Sequence, residues 1–80
     1  MMRVTLYTRA GCCLCDEARQ VLADARRRAE FEYEEIDIDR RPEWRQQYND
    51  EVPVIAIDGR KAFKYRVSMS EFLKKLAARA

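Results

Sequence analysis

Three cysteines, Cys12, Cys13 and Cys15, crowd into four consecutive positions of the chain, and two of them form the Cys-x-x-Cys Cys12-Cys13-Leu14-Cys15. The motif follows an extended stretch and precedes a long helical pattern. At such a junction the first cysteine lies in the loop that caps the helix, where backbone N–H groups without intrahelical partners and the positive end of the dipole favour a thiolate. The thiolate, not the thiol, attacks a disulfide. A second cysteine one turn along the same helix stays close enough to close an intramolecular disulfide and release a covalently bound partner. Cys12 is therefore read as the nucleophile and Cys15 as the resolving thiol.

Other chemistry competes for the same residues. A structural zinc or iron site wants four ligands, and the chain offers three cysteines and no histidine. A metal would need a carboxylate such as Asp16, a small thiol, or a second subunit contributing through Cys12. Inert core cysteines fit poorly, because Gly11-Cys12-Cys13 falls in a loop and outside any apolar period.

Eighty residues suggest one domain over 1–80, burying roughly 60% of the surface its unfolded chain would expose. Charged residues make up 38% of the chain but are mixed in sign, leaving a net charge of +2, which is too small to argue for nucleic acid. The one basic run, Arg26-Arg27-Arg28, falls at the end of a predicted helix, where cations suit the dipole. No apolar stretch is long enough to span a membrane, and the first residues lack the apolar segment of a secretory signal. A cytoplasmic location is expected, and there a Cys-x-x-Cys beside a βαβ pattern reads as redox chemistry, since stable disulfide staples are rare in that compartment.

The elements that must position the cysteines follow from periodicity. Arg3 to Thr8 alternates Val4 and Leu6 with Thr5 and Tyr7 and reads as a strand. Arg9-Ala10-Gly11 is the loop, with Gly11 permitting unusual backbone angles beside the nucleophile. Arg9 is the nearest fixed cation. From Leu14 to Ala29 the residues Leu14, Ala18, Val21, Leu22, Ala25 and Ala29 make a helical stripe; Asp16 and Glu17 in its first turn suit the dipole but oppose a nearby thiolate.

Phe31 to Ile38 reads as a second strand, with a phase change at Glu34-Glu35 that predicts a bulge. Asp39 is expected to cap a short helix running to Tyr48, with Pro42 in its first turn and Asn49 as a left-handed stop. Val52 to Ile57 is almost wholly apolar, as in a strand covered on both faces. Asp58-Gly59 predicts a type I′ hairpin turn, and Lys61 to Arg66 the returning strand. Ser68-Met69-Ser70-Glu71 fits a capping box with Val67 and Phe72 as its staple. It opens a helix to Arg79 that would bury Met69, Phe72, Leu73, Leu76 and Ala77. The resulting order is β-α-β-α-β-β-α, an α/β fold with its chemistry at the C-terminal end of the first strand.

With motif and order in hand, the chain resembles the glutaredoxin-like members of the thioredoxin superfamily over its whole length. The resemblance rests on Leu6 to Asp16, on Ile36-Asp37-Ile38-Asp39, and on Val52-Pro53 followed by a hairpin. It implies a thioredoxin-like fold, a four-stranded mixed sheet flanked by three helices, with strands in the order second, first, third, fourth and the third antiparallel to the first. It also implies a cis Val52-Pro53 bond, with Pro53 facing Cys12 and the Val52 backbone pairing with a substrate chain.

Arg9 matches the basic residue with which glutathione-binding members hold their ligand. The Gly-Gly pair and the acid that those members carry after the hairpin are missing; Phe63-Lys64-Tyr65-Arg66-Val67-Ser68 stands there, and the side chains of Lys64 to Val67 are expected to fill the groove for the γ-glutamyl end. The Trp-Cys-Gly-Pro-Cys of thioredoxins is missing as well. The activity implied is thiol–disulfide exchange on protein or small-molecule disulfides by a monomer without a bound cofactor. Its electrons would come from glutathione or thioredoxin reductase. The alternative is an iron–sulfur or zinc carrier using Cys12 in a dimer.

Overall fold

The computed structural model describes residues 2–49 and 51–79. β1 (Arg3–Thr8) leads to α1 (Cys13–Ala25), then β2 (Glu32–Asp37), a 3-10 turn at Ile38–Arg40, α2 (Pro42–Tyr48), β3 (Val54–Ile57), β4 (Arg60–Lys64) and α3 (Met69–Arg79). The four strands form one mixed sheet in the order β2-β1-β3-β4. β1 runs parallel to β2 and antiparallel to β3, and β4 returns antiparallel beside β3. This is the element order and the sheet order expected from the sequence.

Because side chains alternate along a strand, the sheet has two working faces. Val4 and Leu6 of β1 with Ile55 and Ile57 of β3 pack against Ala18, Leu22 and Ala25 of α1 and Phe72 and Leu76 of α3. Phe72 is wholly buried and meets Phe31 edge-on with ring centroids 5.5 Å apart. On the opposite face Val54 joins Ile38 and Tyr48, with Tyr7, Trp44 and Val52 around them, and the Tyr7 and Tyr48 rings stack at 4.4 Å. β3 is thus covered on both sides, as its run of apolar residues requires.

Several local expectations are corrected. α1 stops at Ala25, four residues short of the apolar stripe, and Arg26 to Arg28 lie in the turn beyond it, with the Arg28 and Ala29 amides donating to the Ala25 carbonyl. No bulge occurs at Glu34-Glu35; β1 and β2 pair without interruption from Arg3–Glu32 to Thr8–Asp37. The phase change vanishes because Phe31 and Ile38, both buried, lie outside the strand and need not obey its alternation. The bulge is instead in the last hairpin, where Ile55 opposes Phe63 and Ala56 opposes Lys61, leaving Ala62 extra.

β3 begins two residues later than expected, and β4 spans Arg60–Lys64 rather than Lys61 to Arg66. Tyr65 takes a left-handed φ of 68° that ends β4 early. Asn49 is an ordinary right-handed helical residue, φ −49°, and Ala77 is exposed. Asp58 and Gly59, with φ of 52° and 84°, form the expected turn. The Ser68 hydroxyl caps α3 by accepting the Glu71 amide at 3.2 Å.

Among the described residues no helix is long and apolar enough to cross a membrane.

Candidate functional site

β1 is the central buried path to the cysteines, and its register fixes what stands beside them. Parallel pairing of Thr8 with Asp37 puts the exits of β1 and β2 at one end of the sheet. Antiparallel pairing of Tyr7 with Val54 puts the entrance of β3 at that same end. Cys12, Arg9, Asp39, Val52 and Pro53 are therefore brought to one end of the sheet by topology, although they lie between positions 9 and 53 of the sequence.

The loop after β1 turns at Gly11, whose φ is +77°; a Cβ there would meet nothing within 4 Å, so the backbone angle and not crowding asks for glycine. The Cys12 amide donates to the Arg9 carbonyl at 3.3 Å, and Cys12 itself is the N-cap of α1, with extended φ and ψ of −91° and 111°. Its Sγ accepts the Cys15 amide at 3.1 Å. A sulfur thus occupies the place usually taken by a capping oxygen and satisfies one of the orphan donors of the helix. A negative charge on that sulfur meets both the N–H and the positive end of the dipole.

Cys15, one turn on, is fully buried, Cys12 is half-buried and Cys13 is exposed. Burial pushes the Cys15 thiol up from its ordinary range, and the neighbouring Cys12 adds to that rise. The Thr8 hydroxyl and the Arg9 amide act in the opposite direction. The two thiols are therefore unequal, one accessible at a helix N-terminus and one shielded behind it. Asp16, expected to oppose a thiolate, is engaged on its own helix by Arg19, whose Nη1 lies 2.6 Å away and whose Nε donates to Glu35 at 2.8 Å. Among the described residues no three of histidine, cysteine, aspartate and glutamate converge as a metal site.

The Val52-Pro53 peptide bond is cis. Pro53 is buried, its carbonyl accepts the Tyr65 amide at 2.8 Å, and Val52 packs half-buried beside Ile38, Tyr48 and Val54. Tyr65 is more than two-fifths exposed at 44% and adopts the left-handed angle that a glycine would take without strain. Tyr65 to Ser68 line one wall of an open cleft of about 380 Å³ whose other wall is Leu14, Glu17, Ala18 and Val21.

Arg9 is held by a residue the sequence had placed elsewhere. Its Nε donates to Asp39 Oδ2 at 3.1 Å and its Nη2 to Asp39 Oδ1 at 2.9 Å, while Arg45 Nε stands 3.7 Å from the same carboxylate. The Arg9 guanidinium keeps the Asp39 carboxyl below the usual aspartate range. Asp39 is accordingly not the cap of α2: the 3-10 turn is capped by Asp37, which accepts the Asp39 amide at 2.9 Å, and α2 starts at Pro42 without a side-chain cap. The parallel pairing of β1 with β2 was the available signal for Asp39, since it sets the residues just past both strands side by side.

Comparison with known proteins bears on the family and the fold. A family model described as a glutaredoxin-like domain (DUF836) matches residues 3–77. An uncharacterized protein of Mycobacterium tuberculosis is 35% identical over 63 residues, covering 72% of this chain and 65% of that protein. A glutaredoxin-like protein of Dictyostelium discoideum is 32% identical over 72 residues, covering 82% of this chain and 67% of its own length. The chain thus spans about 65% of the length of the mycobacterial relatives.

Among solved structures, a structural-genomics target protein of X. campestris superposes with a TM-score of 0.78 at 32% identity, covering 94% of this chain and 96% of that one. Thioredoxin 1 of Thermosipho africanus superposes with a TM-score of 0.70 at 16% identity, covering 96% and 92%, which speaks to the fold alone. The fold is thioredoxin-like, and the chain belongs to the glutaredoxin-like domain family.

Proposed function

We propose that this member of the glutaredoxin-like family is a thiol–disulfide oxidoreductase that reduces disulfides of proteins through Cys12 and Cys15. The observation that carries the reading is the hydrogen bond from the Cys15 amide to Cys12 Sγ at the N-cap of α1, with Cys15 itself buried. The Cys12 thiolate attacks one sulfur of the substrate disulfide, forming a mixed disulfide and expelling the other sulfur as a thiolate. Cys15 then loses its proton and attacks Cys12 Sγ; the substrate sulfur bonded to Cys12 departs, and both substrate thiolates take up protons. Two electrons have passed from the dithiol to the substrate, and Cys12–Cys15 is left as a disulfide for a reductant to reopen.

In this reading the Val52 backbone pairs with the substrate chain beside Cys12, and Pro53, without an N–H, leaves that edge free of a competing donor. The reductant is a dithiol system of the thioredoxin reductase kind. Glutathione is the weaker donor for two reasons: Arg9, the cation for its glycine carboxylate, is already engaged by Asp39, and the segment Lys64-Tyr65-Arg66 offers no glycine pair for close backbone approach. The protein acts as a monomer in a reducing, cytoplasmic compartment, without nucleic acid, membrane or bound cofactor.

Parallel reduction assays test this, one driven by thioredoxin reductase and one by glutathione with its own reductase. Turnover is expected with the first and poor saturation with the second. Turnover with neither would remove the oxidoreductase reading.

A further inference from the structure

Ile55 and Ile57 of β3 face α1 and α3, whereas Val54, and with it Ala56 two residues on, faces the side of α2. Residues opposite one another in an antiparallel pair share a face. Phe63, opposite Ile55, accordingly packs into the core under α1 and α3. An uninterrupted β4 would set Lys61, two residues earlier, on that same apolar face. The bulge that leaves Ala62 extra turns it over: Lys61 stands opposite Ala56, on the α2 side. There its Nζ lies 2.5 Å from Glu51 Oε1 and 5.9 Å from the centre of the Tyr48 ring, which is stacked on Tyr7. Glu51 directly precedes Val52-Pro53. Its amide donates to the Tyr48 carbonyl at 2.9 Å, its carboxylate accepts from Lys61, and the Pro53 carbonyl accepts the Tyr65 amide at 2.8 Å. Lys61 holds the Glu51 carboxyl below the usual glutamate range. The side chains of Lys61 and Glu51 keep 43% and 29% of their exposure, so the contact fixes a position more than it stabilises the fold.

We propose that Lys61 is a positioning residue for protein substrates: by holding Glu51 it fixes the Val52 backbone in the orientation in which a substrate strand pairs with it. This rests on the oxidoreductase reading above, in which Val52 receives the substrate chain. An antiparallel ladder needs its N–H and C=O groups at set places, and Pro53, without an N–H, leaves Val52 to supply the backbone donor at this edge. A segment that must be ordered as the substrate arrives takes that cost out of the binding energy, and one held beforehand does not. Lys61 acts through Glu51 and not on the sulfurs. Its effect therefore falls on substrates that pair with the strand and spares those that meet Cys12 alone.

The test uses the full chain with Cys13→Ser, so that only two thiols react, and adds Lys61→Met, Lys61→Arg, Glu51→Gln, or Lys61→Met together with Glu51→Gln. Each prereduced protein is mixed with insulin, a protein disulfide, and separately with dithiobis(nitrobenzoate), a small disulfide with no backbone to pair. Lys61→Met is expected to lower the second-order rate constant for insulin about two- to fivefold, the size of a partly exposed ion pair, and to leave that for the small disulfide unchanged. Lys61→Arg, which keeps a cation within reach of Glu51, should restore insulin reduction. Glu51→Gln should lower it as Lys61→Met does, and the double variant no further, because one contact is lost in all three. The two single variants change the net charge in opposite directions, so opposite shifts in rate would mark long-range steering and overturn the proposal. A folded Lys61→Met protein with an unchanged insulin rate would also overturn it, as would additive losses in the double variant or equal slowing with both disulfides. A parent that reduces the small disulfide but not insulin would overturn the pairing at Val52, and a parent that reduces neither would overturn the oxidoreductase reading; the proposal falls with either.

Discussion

Arg9 and Asp39, thirty residues apart, are locked fork to fork, with Nε and Nη2 of the guanidinium donating to the two carboxylate oxygens at 3.1 and 2.9 Å. The pair closes across the exits of the parallel strands β1 and β2, three residues before the cysteine at the N-cap of α1. An arginine that could face an incoming carboxylate is thus given one from within the chain. A carboxylate ligand at this place competes with Asp39 for the Nε–Nη2 edge of the guanidinium.

Asp39→Asn should therefore improve binding of glutathione. Asp39 is exposed, Arg9 is half-buried, and Asp39 is also near Arg45, so the pair is near the surface and the gain is expected to be no more than about fivefold. Glutathione saturation curves for the two proteins measure it. An Asp39→Asn protein that binds glutathione no better would show that Arg9 is not the contact withheld.

The same pair sets a response to acid. Asp39 titrates below the usual aspartate range because Arg9 hydrogen-bonds its charged form. A carboxyl depressed in the folded state contributes stability above its unfolded value, about 3.9, and loses it as the pH falls through the lower folded value. The Arg9–Asp39 contacts should accordingly survive down to pH 4 or so, and give way only below that. A carboxyl-carbon NMR titration of Asp39 reports this directly; a midpoint at or above that of an unstructured aspartate would contradict it.

How much of this could be read from the chain differs by residue. The cysteines, their order, the strand before them and the helix after them were legible, because a Cys-x-x-Cys at a strand-to-helix junction and a 3.6-residue stripe are local patterns. The sheet order and the cis Val52-Pro53 bond came with the family resemblance and not from periodicity. Asp39 was misplaced because its local surroundings, an acid ahead of Pro42, look like a helix cap, while its partner comes from another strand. The expected bulge at Glu34-Glu35 failed for a related reason: Phe31 and Ile38 belong to the core without belonging to β2. Ala77, on the apolar stripe of α3, is exposed because α3 rests on the sheet mainly through Phe72 and Leu76.

Phe72 and Ala77 consequently respond very differently to substitution, although both lie on the same predicted stripe. Phe72→Ala removes a wholly buried ring that meets Phe31 and Phe63 and should cost about 3–5 kcal/mol, a large part of the 5–15 kcal/mol typical of a domain's stability. Ala77→Ser is expected to stay within about 0.5 kcal/mol. Chemical denaturation of both variants decides the matter, and comparable losses would mean that α3 packs along its whole stripe.

The central claim is that Cys12 attacks and Cys15 resolves, and intact-mass analysis of trapped mixed disulfides tests it most directly. With Cys13→Ser as the common background, Cys15→Ser and Cys12→Ser are each mixed with an oxidised protein substrate, quenched in acid and mapped by peptide. The partner should accumulate on Cys12 in the Cys15→Ser protein, and the Cys12→Ser protein, whose one remaining thiol is buried, should trap nothing. Accumulation on Cys15 in Cys12→Ser, with none on Cys12 in Cys15→Ser, would reverse the roles and contradict the account.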